Sequence, residues 1–125
     1  FVIFEHIIFN DLSLLHAATG LRPSAPIVLN RRNYYCLQYN QAGAITVQID
    51  GEQPQQIRGP SLLITSPGHR YFFGNHEGWH HNFIAFRGKR VEHYIETGLL
   101  PVETPLMRIR AGGEFMDQFE RCVNA

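Results

Sequence analysis

The sequence has no excess of charge of either sign, and this limits what the protein can bind. Its 125 residues contain 11 Lys and Arg against 11 Asp and Glu, so the formal net charge at pH 7 is zero. Domains that bind nucleic acid usually carry a basic excess or a basic stripe. Neither is found here, and we do not expect the domain to hold a DNA duplex by itself.

Cysteines and long apolar runs are also scarce. Cys36 and Cys122 are the only two cysteines. A pair this sparse favours buried, reduced thiols in a cytoplasmic protein, although one disulfide between them stays open. No apolar run is long enough to cross a bilayer, and the opening FVIFEHIIF lacks the basic flank and cleavage site of a signal peptide. The sequence therefore predicts no membrane partner.

Motifs for catalysis and cofactor binding are missing as well. There is no glycine-rich phosphate loop and no CxxC spacing for a metal. Asp11, Ser13 and His16 are residue types of a hydrolytic triad, but they lie in a predicted loop without a nucleophile elbow. We expect a protein that recognises a ligand, uses no cofactor and is not an enzyme.

What the sequence does contain is a regular series of short β runs. From Ile27 onward, aromatic and β-branched runs alternate with turns rich in Gly, Pro and Asp-Gly. The predicted strands span residues 34–39, 44–49, 55–59, 61–65, 69–73 and 79–86. Strands at this spacing are typical of a mainly β sandwich or barrel.

The two ends of the chain differ from this β series. Residues 1–9 suit a strand against the core, and residues 10–26 are interpreted as a loop or arm with at most one helical turn. After Gly88 the apolar spacing becomes helical, which predicts helices over 89–98 and 113–125. We divide the chain into a strand and arm (1–26), a β-barrel (27–88) and a helical segment (89–125).

Aromatic residues and one histidine are predicted to share the inner faces of the last two strands. Side chains alternate along a strand, so Tyr71 and Phe73 lie on one face, and Trp79, His81 and Phe83 lie together on one face of the next strand. Aromatic rings with a polar histidine can bind a planar ligand or the apolar face of a sugar. Plain core packing is the alternative for each of these aromatic residues.

Two arginines precede the first strong strand of the series. Arg31 or Arg32 at a barrel mouth could clamp a carboxylate or a hydroxyl group. The alternative is a solvated strand end, which applies to at least one of the two arginines.

A metal centre is a weaker interpretation of the histidines. His80 and His81 are adjacent and must point to opposite faces of a strand. His69 and His81 are the best inward pair, with Glu77 in a loop, and the upstream hairpin, AGAITVQIDGE, offers no further histidine. A metal site needs three ligands from the protein, and one of the three is hard to name.

The final predicted helix carries a wide apolar stripe. The stripe either covers the barrel or packs against a second copy of the chain, and the pattern alone does not separate the two. Its members, predicted here as a dimer interface, are Phe115, Met116, Phe119, Cys122 and Val123.

Three motifs in order resemble the N-terminal domain of AraC-type transcription regulators. They are R-x-x-Y-x-L-x-Y followed by Gly43, G-x-x-L-x-I-x-x-PGH-x-Y from Gly59 to Tyr71, and W-H-H-x-F-I-x-F from Trp79 to Phe86. The resemblance covers residues 27–125. It implies a cupin-like, double-stranded β-helix (a jelly roll) with an N-terminal arm and two C-terminal helices.

The resemblance also implies a function. Such a domain binds a small effector, often a sugar, and forms a homodimer, while DNA is read by helix-turn-helix motifs C-terminal to it. In the arabinose-sensing member the pocket positions correspond to Arg31 or Arg32, Phe73, His81 and Phe83. The effector would change how the arm packs and so bias the DNA-binding part. A small metal-dependent cupin enzyme and a barrel without a ligand remain the alternatives.

Overall fold

The computed structural model describes residues 12–124, so the strand expected over 1–9 lies outside the described residues. Within them the chain forms nine strands and two helices. The first strands are β1 (Ser13–Leu21), β2 (Ile27–Asn30), β3 (Tyr35–Asn40), β4 (Ala44–Ile49) and β5 (Gln55–Arg58). The remaining elements are β6 (Ser61–Thr65), β7 (Arg70–Gly74), β8 (His81–Arg87), α1 (Arg90–Glu96), β9 (Leu106–Arg108) and α2 (Gly112–Val123).

The strands form two antiparallel sheets that face each other. The five-stranded sheet has the order β1-β8-β3-β6-β9, and the four-stranded sheet has the order β2-β7-β4-β5. Between β2 and β8 the chain passes repeatedly from one sheet to the other, which is the connectivity of a jelly roll. The predicted mainly β, double-stranded β-helix fold with two C-terminal helices is confirmed.

Local sequence explains the turn that follows β4. Asp50 and Gly51 both have positive φ, at 51° and 72°, and the N–H of Glu52 donates to the carbonyl of Ile49 at 2.9 Å. Two central residues with positive φ define the turn that matches the right-handed twist of paired strands. The Asp-Gly dipeptide is favoured there because Gly has no β-carbon and the short polar side chain of Asp tolerates a positive φ.

Two strands formed where the sequence predicted loops. Residues 13–21 pair with β8 along its length, with register shifts between Leu14 and His16 and between Ala18 and Leu21. Residues 106–108 pair with β6 inside the predicted proline-broken loop. The loop interpretation is wrong at both places, because each strand lies at a sheet edge and is held by its partner rather than by its own alternation.

The outer face of the five-stranded sheet is covered by the two helices. Leu37, Tyr39, Leu62 and Ile64 point to this side and are each fully buried. They pack with the buried faces of α1 and α2 in one apolar cluster, whose other members include Ile84, Phe86, Val91, Tyr94, Leu100, Phe115, Met116, Phe119 and Cys122. We call this cluster the helix-side core.

The apolar stripe of α2, which was predicted as a dimer interface, lies against the five-stranded sheet of its own chain. Phe115, Met116, Phe119 and Cys122 are all buried against the sheet of their own chain, and Val123 is half-buried at the edge. The stripe therefore covers the barrel, the first of its two readings, because apolar side chains that fill their own core offer no surface to a partner. Any second copy would have to meet other faces of α2.

The space between the two sheets holds a second, smaller apolar cluster. Ile45, Val47, Leu63, Tyr71, Phe73 and Trp79 are its buried members. It fills only part of the space, and the remainder forms the site described next.

Candidate functional site

The two faces of β3 have opposite chemistry although both are buried. Leu37 and Tyr39 point into the helix-side core, whereas Cys36, Gln38 and Asn40 point between the sheets. Asn40 is the register partner of His81 on β8 and of Ser61 on β6. A row of polar side chains therefore crosses the inner face of the five-stranded sheet.

A cavity of about 220 Å³ lies beside this polar row. Its wall combines both sheets with the segment that follows β1. The lining residues are His16, Leu21, Pro23, Ile27, Leu29, Tyr34, Cys36, Gln38, His81 and Phe83. None of them is Lys, Arg, Asp or Glu, so the cavity presents mainly apolar surface with a few polar side chains.

His81 is the distinctive side chain of the cavity. It is only 4% exposed, and within residues 12–124 neither ring nitrogen has a hydrogen-bond partner. Burial lowers the pKa of the imidazole from 6.5 to about 4, because a charged ring would lose its hydration. At neutral pH His81 is therefore an uncharged group with one free donor and one free acceptor.

Aromatic rings hold His81 in place from two sides. The ring of Phe83 stacks on it with centroids 5.7 Å apart, and the ring of Phe73 lies at 5.8 Å. On the far side of Phe83, His16 of β1 makes an edge contact at 5.6 Å. This packing fixes the direction of the imidazole without using its nitrogens.

Gln38 supplies a second polar group to the cavity. Its amide nitrogen donates to the hydroxyl of Thr65 at 3.4 Å, and that hydroxyl donates to the carbonyl of Cys36 at 3.4 Å. The amide oxygen of Gln38 has no hydrogen bond among the described residues. The neighbouring thiol of Cys36 is a poor nucleophile, since burial raises its pKa.

Further unused hydrogen-bonding atoms lie on the same inner side. The Oδ1 of Asn40, the Oγ of Ser61 and the Nε1 of Trp79 are buried without a partner in the described part of the chain. Buried polar groups in folded proteins nearly always have a partner. The interior between the sheets therefore has more polar capacity than its own fold uses.

The sequence-predicted aromatic residues are all found between the sheets, but only some reach the cavity. His81 and Phe83 line it, whereas Tyr71, Phe73 and Trp79 are buried in the cluster beside it. The hydroxyl of Tyr71 accepts a hydrogen bond from the N–H of Ser66 at 2.8 Å. The ligand-binding role assigned to these residues stays a prediction.

The two arginines lie outside the cavity wall. Arg31 is exposed, adopts a positive φ of 52°, and uses its backbone N–H to bind the carbonyl of His69. Arg32 is also exposed and borders a narrow cleft next to Tyr34. Contact of either guanidinium with a ligand is a prediction that this geometry does not favour.

The predicted metal ligands are not brought together. His69 is half exposed, and its Nδ1 lies 2.6 Å from a carboxylate oxygen of Asp50. Glu77 is exposed in the loop after β7, whereas His81 is buried in the cavity. Across residues 12–124 no three His, Cys, Asp or Glu side chains form a group that could hold a metal ion.

A wider groove lies at the open edge between the sheets. It measures about 690 Å³ and is bordered by Asp50, Glu52, His69 and Glu103 among others. The N–H of Arg70 and the ring of His69 lower the pKa of the Asp50 carboxyl. The polar groups of Asp50 and Tyr71 in this groove have hydrogen-bond partners within the chain.

Several cavity residues were missed by the sequence analysis. Gln38 and Cys36 share a face of a predicted strand, and their alternation with Leu37 and Tyr39 was a signal that could have assigned them. His16 and Leu21 were missed because their segment was interpreted as a loop. Nothing in the sequence pairs this segment with β8.

Neither helix of the described chain combines the length and the apolar character that a membrane-spanning helix requires.

Three solved structures that are similar to this chain come from three different organisms. The plu4264 protein of Photorhabdus luminescens is 17% identical, with a TM-score of 0.44 over 70% of this chain and 68% of that one. The cupin domain of Schizosaccharomyces pombe Cnp3 is 12% identical, with a TM-score of 0.46 over 71% and 73%. An RmlC-like cupin protein of Methanocaldococcus jannaschii is 11% identical, with a TM-score of 0.35 over 61% and 80%.

Sequence comparison gives a clearer result at the level of the family. No curated protein sequence matches the chain significantly. The family model of the AraC-like ligand binding domain matches residues 28–125, which include both sheets from β2 onward and both helices. By this match, the protein belongs to the family of AraC-like ligand binding domains.

Proposed function

We propose that this protein is the effector-sensing domain of a transcription regulator, and that the effector occupies the cavity between the two sheets. The family match supports a regulatory ligand-binding role. The observation that carries the proposal is His81, which is buried, uncharged and without a hydrogen-bond partner among the described residues.

The energetics of the inner face support this assignment. A polar group buried without a partner costs about 1–3 kcal/mol. His81 and Gln38 line the cavity with hydrogen-bonding atoms that have no partner among the described residues, whereas apolar side chains of similar size would carry no such cost. A fold keeps this arrangement when a bound molecule supplies the missing hydrogen bonds.

Sugar sensing, dimerisation and DNA recognition are finer parts of the proposal. The resemblance to AraC-type regulators implies all three, with DNA read by a separate helix-turn-helix domain. The cavity is bordered by His16 and Leu21 of β1 and by Pro23. An effector would therefore touch the segment interpreted as an arm, and its binding would shift the packing of that segment. We propose no catalytic step.

Ligand-dependent stabilisation tests the sensor role. A panel of metabolites that includes pentoses and hexoses is screened by thermal unfolding of the 125-residue chain. A compound present at 100 times its Kd should stabilise the fold by about 2.7 kcal/mol. His81→Ala should clearly reduce the response to that compound, because it removes a hydrogen-bonding group from the cavity wall.

The control variant is His80→Ala, since His80 is the chain neighbour of His81 and does not line the cavity. It should leave the response unchanged. A compound that stabilises both variants equally binds elsewhere, and the absence of any stabilising compound in a broad panel would contradict the sensor role.

A further inference from the structure

We infer that the ligand of this cavity is an uncharged, compact molecule with a mainly apolar body and a single polar edge, an aryl or alkyl alcohol or amide rather than a polyhydroxylated sugar. This inference rests on the proposed effector-sensing role, and for the effector it replaces the sugar that the family resemblance implies. It follows from the charge, the size and the distribution of polar groups in the wall.

The charge of the wall excludes an ionised ligand. None of the residues that line the cavity is Lys, Arg, Asp or Glu, and the buried imidazole of His81 is neutral at neutral pH. Burying a carboxylate or an ammonium group without a countercharge is far more costly than burying a neutral polar group. An ionised ligand would lose its hydration here and gain no ion pair.

The cavity volume sets the size of the part of a ligand that it can enclose. A closed apolar cavity of about 150 Å³ accommodates a benzene molecule. The cavity measures about 220 Å³, which by proportion accommodates roughly nine non-hydrogen atoms. One six-membered ring with a short polar side chain has this size.

The polar groups of the wall are few and lie together. His81 offers one donor and one acceptor, and Gln38 offers its amide oxygen. Both belong to adjacent strands of the five-stranded sheet, where Gln38 is the register partner of Phe83, two residues from His81. A ligand can therefore satisfy them with one hydroxyl or one amide group.

The rest of the wall is mainly apolar and serves a polyol poorly. Leu21, Pro23, Ile27, Leu29 and Phe83 contribute apolar surface to it. His16, which is exposed on β1, and the half-buried Tyr34 add the remaining polar groups. A sugar of this size would turn two or more hydroxyl groups toward aliphatic carbons and lose their hydrogen bonds to water.

A matched series of compounds on one body tests the inference. The probes are 2-phenylethanol, 2-phenylacetamide, ethylbenzene, phenylacetate and 2-phenylethylammonium, with xylose as the polyol. Each is titrated into the isotopically labelled chain at pH 7 and followed by amide chemical shifts. We expect the alcohol and the amide to bind, ethylbenzene to bind about 10-fold more weakly, and both ions at least 100-fold more weakly.

Two variants assign the polar contact to His81. In His81→Leu the alcohol should lose its advantage of about 10-fold over ethylbenzene, while ethylbenzene itself still binds, which shows that the cavity remains folded and open. In His80→Leu all affinities should equal those of the parent protein. Retention of the advantage in His81→Leu would overturn the assignment of the polar edge to His81.

The outcomes separate this inference from the sensor role. Xylose binding more tightly than the alcohol, or an ion binding as tightly as its neutral counterpart, overturns the ligand class and leaves the sensor role standing. No binding by any of the six probes also overturns the ligand class, while the broad thermal panel decides the sensor role independently.

Discussion

The two faces of the five-stranded sheet are both buried, but one carries apolar side chains and the other carries several polar ones. The outer face places Leu37, Tyr39 and Ile64 against the helices, and these side chains are fully buried among apolar neighbours. The inner face places Gln38 and His81 at the cavity, with polar atoms that lack partners among the described residues. One face therefore supplies stability, whereas the other gives up stability at the surface that we propose binds the effector.

The largest expected effect compares two phenylalanines, one from each face. Phe119 of α2 has no exposed surface in the helix-side core, so Phe119→Ala should lower the free energy of unfolding by about 3–5 kcal/mol. Phe83 is only half-buried and borders the cavity, so Phe83→Ala should cost clearly less. Urea denaturation measures both, and equal losses would break the comparison.

The pH dependence of the free energy of unfolding should follow the titration of His81 on the inner face. Burial holds the pKa of His81 at about 4 in the folded chain, below its ordinary 6.5. Between these two pH values His81 binds a proton in the unfolded chain but not in the folded chain. The free energy of unfolding therefore falls as the pH is lowered from 6.5 to 4. The loss from this one group is about 3 kcal/mol at most.

Urea denaturation at several pH values measures this loss. Above pH 6.5 and below pH 4 the contribution of His81 should be constant. His81→Leu should flatten the curve between these limits, and an unchanged slope in that variant would mean that other groups cause the loss.

Two glycines with positive φ differ in the space that surrounds them. Gly74 has a φ of 124°, and a β-carbon there would collide with the ring of Trp79, whereas Gly51 has a φ of 72° and open space around it. Gly51→Ala should cost about 1 kcal/mol from backbone strain alone, and Gly74→Ala about 2–3 kcal/mol. Trp79 is the only tryptophan, so its fluorescence should change in Gly74→Ala and stay constant in Gly51→Ala.

The smallest expected effect has the opposite sign. Without ligand at pH 7, His81→Leu should raise the free energy of unfolding by about 1 kcal/mol, because it removes an unpartnered polar group from the interior. The same change should weaken binding of the alcohol about 10-fold. Destabilisation by a similar amount, measured in urea, would show that His81 has a structural role in the unliganded fold.

The sequence predicted the central strands within one or two residues, and the physical reason is local. The runs that became β3 to β8 have alternating apolar residues and are bounded by Gly, Pro or Asp-Gly turns. β1 and β9 were missed because they are edge strands whose pairing with β8 and β6 depends on residues far away in the chain. The same long-range pairing hid His16 and Leu21 from the predicted site.

The alternation of side chains along single strands was sufficient to place His81 and Phe83 on an inner face. The spacing of the β runs, together with the helical pattern after Gly88, determined that the chain folds as a mainly β barrel with two helices. Only the tertiary structure decided which inward residues line a cavity and which fill the core, since that depends on the space left between two sheets. It also decided that the stripe of α2 lies against its own sheet, because an amphipathic face is identical in the sequence whether its partner is the same chain or another.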